Sequence, residues 1–377
     1  MCECALARLT LDRRQLLALA AALVPIPAIA DPKALRAAAA AKVPWIDAHV
    51  HPLGVKSGVR GSRGRGAAGS GSGSASEAVE KAATVMADSG IATMFLLPPP
   101  QINSGPPPLD YPSFAGAARA YGAKFRFLGG GGTLNPMLQE AALGAKVSDG
   151  ALRQFSEEAE AILRAGAMGF GEMAAHHLST VPGHPYESVA ADHPLLLLLT
   201  DIAARHDVPI DLHFDPVIAP MPRPDWAPAT NPAEFAPNFE AFERLLAHNR
   251  NSRIVWAHAG SDNLGQWTVA LSRRMLSTHP NLFMSLRMAP GHAPENHPLT
   301  REAEIKPGWR RLLADFPDRF VIGGDQFFVD AGTSGPAALF ASRAAPTRQR
   351  TNLFLSLLPE QLAHRIGQEN AARIYKL

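Results

Sequence analysis

The stretch VPWIDAHVHP (43–52) reads as a short buried strand that ends in His49-x-His51. Side chains alternate across a strand, so residues i and i+2 point the same way. Two imidazoles therefore leave the strand end side by side. Neutral imidazole is the commonest metal-binding side chain, and the pair is a half-site for zinc or a similar divalent ion. Taken alone, an H-x-H is read equally well as two surface histidines. The rest of the chain decides between the two.

Working outward, apolar β-type runs recur at 43–50, 91–98, 124–131, 167–173, 208–214, 253–260, 282–288 and 319–325. Continuous apolar runs suit a parallel sheet covered on both faces. Helical patterns fall between them at 74–90, 148–166, 193–207, 238–249, 266–279 and 307–317, and the end of the chain (358–377) carries two more short ones. Ser74 and Glu77 form a capping box for the first of these helices. Alternating strand and helix means right-handed βα units. Eight units predict an α/β fold, a distorted (β/α)8 TIM barrel with long loops at its C-terminal face. An open doubly wound sheet is the alternative. Gly129–Gly132 lacks the G-x-G-x-x-G context of a dinucleotide site.

In a barrel, the C-terminal strand ends meet around one mouth. Strand four ends in Glu172, strand five carries His213 in DLHF, strand six ends in His258, and strand eight ends in Asp325. Together with His49 and His51, these groups converge as a metal site. The nearest lysines, Lys124 and Lys146, are off the strand-four end, so a bridging lysine is excluded. Glu172 is then either a bridging ligand or a carboxylate that orients an imidazole. Arg287, after strand seven, suits a substrate carboxylate or a salt bridge to a neighbouring loop. His176 and His177 read as a polar loop or as residues that reach the mouth, and His292 and His297 as surface residues. LLPPPQ (96–101) reads as a wall of the mouth. The Pro-rich segment 215–237, with Trp226 and Phe235, reads as a lid or substrate wall, and Trp226 as a substrate contact.

The motifs DAHVH (47–51), DLHF (211–214), AHAG (257–260), GGDQF (323–327) and ENAARIYKL (369–377) give the chain a specific likeness. From residue 43 to 377 it resembles the amidohydrolase superfamily, in its amidohydrolase-related branch of metal-dependent hydrolases and decarboxylases. The resemblance implies that His49, His51 and His213 ligate the metal. It implies that Asp325 ligates it too and handles the proton of the attacking water. His258 would ligate a second metal or polarise the substrate. The implied cofactor is a divalent ion, Zn2+ first, as one or two ions. The chemistry of the residues agrees, since three imidazoles and a carboxylate leave zinc an open position for water.

The bulk numbers exclude other classes. The chain has 377 residues, 46% hydrophobic and 19% charged, with a formal net charge of +2. A large electrostatic pull on nucleic acid is not indicated. Both cysteines, Cys2 and Cys4, sit at the start, so no cysteine-based zinc site or thiol nucleophile exists elsewhere. Residues 1–30 have the pattern of an export signal: Arg13-Arg14, an apolar run at 16–24, and Ala28-Ile29-Ala30 before Asp31. The arginine pair points to the twin-arginine route and a periplasmic destination, with no stable membrane anchor after cleavage. Asp12 departs from the more usual Ser or Thr. Residues 31–42 form a linker, helical or extended, and 54–73 a Gly/Ser/Arg-rich surface loop.

The expectation is thus a metal-dependent hydrolase of a small-molecule amide, ester or lactone. A non-oxidative decarboxylase on the same barrel is the second reading, and a non-catalytic exported binding protein the third. Pairing of two copies into a homodimer is compatible with such a barrel.

Overall fold

The computed structural model describes residues 43–53, 75–103, 109–144, 146–330 and 333–377. The export signal (1–30), the linker (31–42), the insertion (54–73) and Ser74 of the capping box lie outside them.

The strands are β1 (Trp45–Leu53), β2 (Ile91–Leu96), β3 (Phe125–Phe127), β4 (Gly129–Gly130), β5 (Phe170–His177), β6 (Glu187–Ser188), β7 (Pro209–Phe214), β8 (Met221–Pro222), β9 (Glu234–Phe235), β10 (Arg253–Ala259), β11 (Leu282–Leu286), β12 (Phe320–Ile322) and β13 (Gln326–Val329). Hydrogen-bonded neighbours run β3-β2-β1-β12-β11-β10-β7-β5-β4, with β13 also on β1 and β6 on β5. The pairings along this path are parallel.

The two ends of the path are halves of one strand, parted only by Leu128. Leu128 N donates to Leu96 O at 2.9 Å on one side, and Met168 N donates to Phe127 O at 2.9 Å on the other. The ring closes through that strand. With β3–β4 and β12–β13 each acting as one stave, eight staves follow in chain order, which is the TIM barrel that the alternation predicts. The glycines that follow β4 have a steric reason. A Cβ on Gly131 would lie 2.6 Å from Pro98 O, and one on Gly132 2.0 Å from Leu109 O.

Two cores hold the barrel. The outer one lies between strands and helices. The helix Asp149–Arg164 shows how it forms: the Ser148 hydroxyl caps Ala151 N at 3.1 Å, and Phe155, Ala159 and Ile162 turn one face inward. The inner core fills the barrel with Ile46, Ala48, Phe95, Leu97, Leu128, Val255, Phe283 and Val321. Ala371, Ile374 and Tyr375 of the closing motif pack onto these residues. Asn370 fixes that plug by donating to Pro317 O and Phe320 O, both at 2.8 Å.

Three helices were not legible as patterns: Ala115–Ala120, Leu134–Ala142 and Pro336–Ser356. The last carries Pro346 in its interior, where proline removes a backbone donor and normally ends a helix. Packing of Ala344, Thr347, Leu353 and Phe354 overrides that local preference. Among the described residues, no helix is long and apolar enough to cross a membrane.

Candidate metal centre

β1 does not keep strict alternation. Its register against β2 slips between Asp47 and Val50. The slip follows Ala48 of the inner core and brings His49 and His51 to the mouth together, with Nε2 atoms 3.0 Å apart. Asp47 secures the slip, accepting from His49 N at 3.2 Å, Gly324 N at 2.7 Å and Gln326 Nε2. Strand eight breaks beside it. Gly323 and Gly324 have no room for a Cβ against Ser285 and Asp47, and Asp325 then takes φ 48°. His258 has φ 72°. Left-handed backbone at non-glycine residues is strained, and here it sits at two candidate site positions.

The six predicted residues meet. Glu172 is at their centre. Its Oε1 lies 2.9 Å from His213 Nδ1 and 3.1 Å from His258 Nε2. Its Oε2 lies 3.3 Å from His51 Nε2 and 3.4 Å from His49 Nε2. Asp325 Oδ1 lies 3.3 Å from His51 Nε2 and 3.9 Å from His49 Nε2. Ligand atoms within 4.8 Å of one another form three sets: His49, His51 and Glu172; His49, His258 and Asp325; and Glu172, His213 and His258. Imidazole nitrogens and carboxylate oxygens at this spacing fit a divalent transition ion. Glu172, which faces all four imidazoles, has the position of a bridging group.

The far nitrogens of three of the candidate ligand imidazoles are tied down. His49 Nδ1 faces both Asp211 oxygens at 3.1–3.2 Å, His51 Nδ1 donates to Leu97 O at 3.0 Å, and His213 Nε2 donates to Asp215 at 3.1 Å. Such partners fix ring orientation and tautomer and raise basicity. His258 differs, because its buried Nδ1 has no partner among the described residues. An imidazole free at one nitrogen suits proton handling or substrate polarisation better than permanent ligation.

Burial opposes charge throughout the cluster, and opposite charges override it. Burial works against the His49 imidazolium, but Asp211 and Glu172 hold it well above the ordinary histidine value. Burial opposes His213 too, yet Asp215 and Glu172 push it up to about 10. Burial would raise Glu172, but His49, His213 and His258 hold it well below the carboxylate range. His258 goes the other way, pushed down to about 4 by burial. Asp325 stays far below the usual carboxylate range: burial would raise it, and Arg287 and His258 outweigh that.

Several expectations are corrected. Arg287 pairs with Asp325 itself, Nη2 to Oδ2 at 2.9 Å, rather than with a neighbouring loop. Its buried Nε has no partner among the described residues. His176 and His177 are strand residues of β5, not a polar loop. His176 is buried, with Nδ1 donating to Asp215 O at 2.6 Å, and the His177 ring packs tilted against His213 at 3.9 Å between ring centres. His297 is buried against Met288 O rather than on the surface, whereas His292 is exposed. Trp226 stacks flat on His292 at 3.8 Å and not on the carboxylate cluster. The segment 215–237 is anchored by the β8–β9 pair and by a small core of Leu178, Val217 and Phe235. LLPPPQ does more than line the mouth: Leu97 O orients His51, and Pro98 O accepts from Glu172 N at 3.1 Å. Two further residues belong to the site: D-x-H-x-D (211–215) puts Asp211 and Asp215 on the face of His213.

The chain matches the family model described as Amidohydrolase over residues 46–377. It belongs to the amidohydrolase family, whose members are metal-dependent enzymes on TIM barrels. Its solved structural relatives include a probable 2-pyrone-4,6-dicarboxylic acid hydrolase from Acinetobacter baumannii, with 11% identity, TM-score 0.49, and 89% of this chain and 100% of that one covered. A 2,6-dihydroxybenzoate decarboxylase from Rhizobium has 14% identity and TM-score 0.46, covering 88% and 98%. A 4-oxalomesaconate hydratase from Rhodopseudomonas palustris has 12% identity and TM-score 0.43, covering 88% and 95%. No curated protein matches the chain.

Proposed function

We propose that this protein is a metal-dependent hydrolase that cleaves an amide, ester or lactone bond of a small molecule. The observation that carries this reading is Asp325. It is an ionised carboxylate 3.3 Å from His51 Nε2, held in that state by Arg287. His49, His51, His213, Glu172 and Asp325 would hold the metal, with Zn2+ the best fit to the imidazole-rich set and one or two ions accommodated. When bound, such an ion lowers the pKa of water and polarises a carbonyl oxygen. Asp325 accepts the proton of the attacking water and delivers it to the leaving group. His258, neutral at pH 7, stabilises the developing oxyanion as a hydrogen-bond donor. Arg287 keeps Asp325 ionised and offers its remaining donors to the substrate.

Chelation tests the whole reading. Dialysis against a strong chelator should remove bound metal and abolish turnover in a screen of esters, lactones and amides, and Zn2+ should restore it. Full activity in metal-free, folded protein would sink it. Release of CO2 without consumption of water would replace hydrolysis by the decarboxylase reading.

The Arg287–Asp325 pair sets a pH dependence. Removing the cation in Arg287→Met raises the Asp325 pKa, so the base form is lost at a higher pH. The acid limb of the kcat profile should therefore move upward. An unmoved limb would detach Arg287 from that titration.

Export by the twin-arginine route is part of the proposal. It predicts periplasmic protein that becomes cytoplasmic when Arg13-Arg14 is replaced by Lys-Lys.

A further inference from the structure

Apart from the metal cluster, a cavity of about 380 Å³ lies between the loop that follows β11 and the helix Pro336–Ser356. None of the six cluster residues lines it. Cavities of this size take small organic molecules. The helix side contributes Arg350 and Leu353, one turn apart on the same face, and the loop side Pro290, Leu299, Ala303 and Lys306.

Arg350 is the unusual member. It is 5% exposed, yet its guanidinium has no hydrogen bond and no ion pair among the described residues. Guanidinium cannot shed its charge at neutral pH, and here it lines the cavity with no carboxylate partner among the described residues. Burial lowers its pKa only to about 10, leaving it cationic. The other charged groups on the walls do not neutralise it. Lys306 is a second cation, held by donation to Pro294 O at 2.9 Å and Glu295 O at 2.8 Å. Arg301 is a third, and Glu295 is exposed and not paired with Arg350. His297 is engaged at both nitrogens, with Met288 O at 3.0 Å and Leu299 N at 3.1 Å. The cavity therefore combines a planar cationic fork with the apolar side chains of Pro290, Leu299, Ala303 and Leu353.

We propose that this cavity binds a small organic acid, with its carboxylate on Arg350 and its apolar body against Leu299, Ala303 and Leu353. The fork geometry of arginine suits a carboxylate, and the apolar lining selects an organic anion over an inorganic one. The site is separate from the metal centre. Its loop also carries Arg287, and His297 holds the carbonyl of the next residue, Met288.

Calorimetric titration of the purified protein with benzoate tests this, with benzamide as the neutral isostere and inorganic phosphate as the inorganic anion. Benzoate should bind, benzamide and phosphate should not, and Arg350→Met should weaken benzoate binding by about tenfold or more. His51→Ala, which damages the metal centre, should leave benzoate affinity unchanged. Thermal unfolding gives an independent readout. Without ligand, Arg350→Met should melt higher than the parent by about 2 °C or more, because it removes an unpaired buried charge. Benzoate should raise the melting temperature of the parent only. Leu353→Trp, which fills the cavity from its apolar side, should also abolish binding and serves if Arg350→Met does not fold. Equal benzoate affinity in parent and Arg350→Met, equal binding of benzamide, binding of phosphate alone, or a lower melting temperature for Arg350→Met would each overturn the proposal.

Discussion

Asp325→Asn lowers kcat by about 10²–10⁴-fold, the range that general-base catalysis supplies. Asn keeps the size of the side chain and an oxygen near His51, but it cannot take a proton from water at neutral pH. The wild-type carboxylate lies beside His51 and under Arg287, which keeps it ionised far into the acid range. Metal should stay bound in this variant, because His49, His51, His213 and Glu172 still converge. Two measurements check the result: metal content of the purified variant, and kcat with added Zn2+. Full metal content with lost turnover that excess metal does not rescue assigns Asp325 to the proton. Rescue by excess metal would reduce Asp325 to a ligand, and unchanged turnover would remove it from the mechanism.

The barrel and the six converging residues were legible because strand ends in a parallel barrel share one mouth. Chain order alone therefore brought His49, His213, His258 and Asp325 together. What alternation could not supply were the places where alternation fails. The slip after Asp47 turns both histidines to the mouth, and it depends on Asp47 bonding across to Gly324, 277 residues away. The break in strand eight depends on close approach of Ser285 and Asp47 to glycines. His176 and His177 looked like loop because polar residues at a strand end suggest solvent. They are covered by Tyr186 and Glu187, which the return strand β6 brings back over β5, and by Asp215 after β7. The helix Pro336–Ser356 was hidden by Pro346, a local signal that tertiary packing outweighs. Asp211 and Asp215 were within reach of a period-two reading, since both share the face of His213.

Asp211→Asn lowers metal affinity by about 10–100-fold, the usual cost of losing a carboxylate behind a ligand imidazole. Asp211 is fully buried, and its two oxygens face His49 Nδ1. Its charge keeps a proton on that nitrogen, which leaves Nε2 as the lone-pair donor toward the cluster. Asn preserves an acceptor of the same shape without the charge, so His49 becomes a weaker base and a weaker ligand. The same charges make metal binding depend on pH in the parent protein. In the metal-free cluster, His49, His51 and His213 are held above the ordinary histidine value, His213 up to about 10. Protons therefore occupy the ligand atoms at neutral pH, and a metal must displace them. Apparent affinity should rise with pH, by about tenfold per unit for each proton displaced, until the raised pKa values are passed. Asp211→Asn removes a charge that holds the His49 proton, so its affinity should rise less steeply with pH than that of the parent. Competition against a chelator of known affinity across pH 6 to 9 measures both the drop and the slope. Excess metal should restore turnover in Asp211→Asn, in contrast to Asp325→Asn, and this contrast separates a residue that holds an imidazole from one that moves a proton. Parent-like affinity and slope in Asp211→Asn would place His49 outside the metal's ligands.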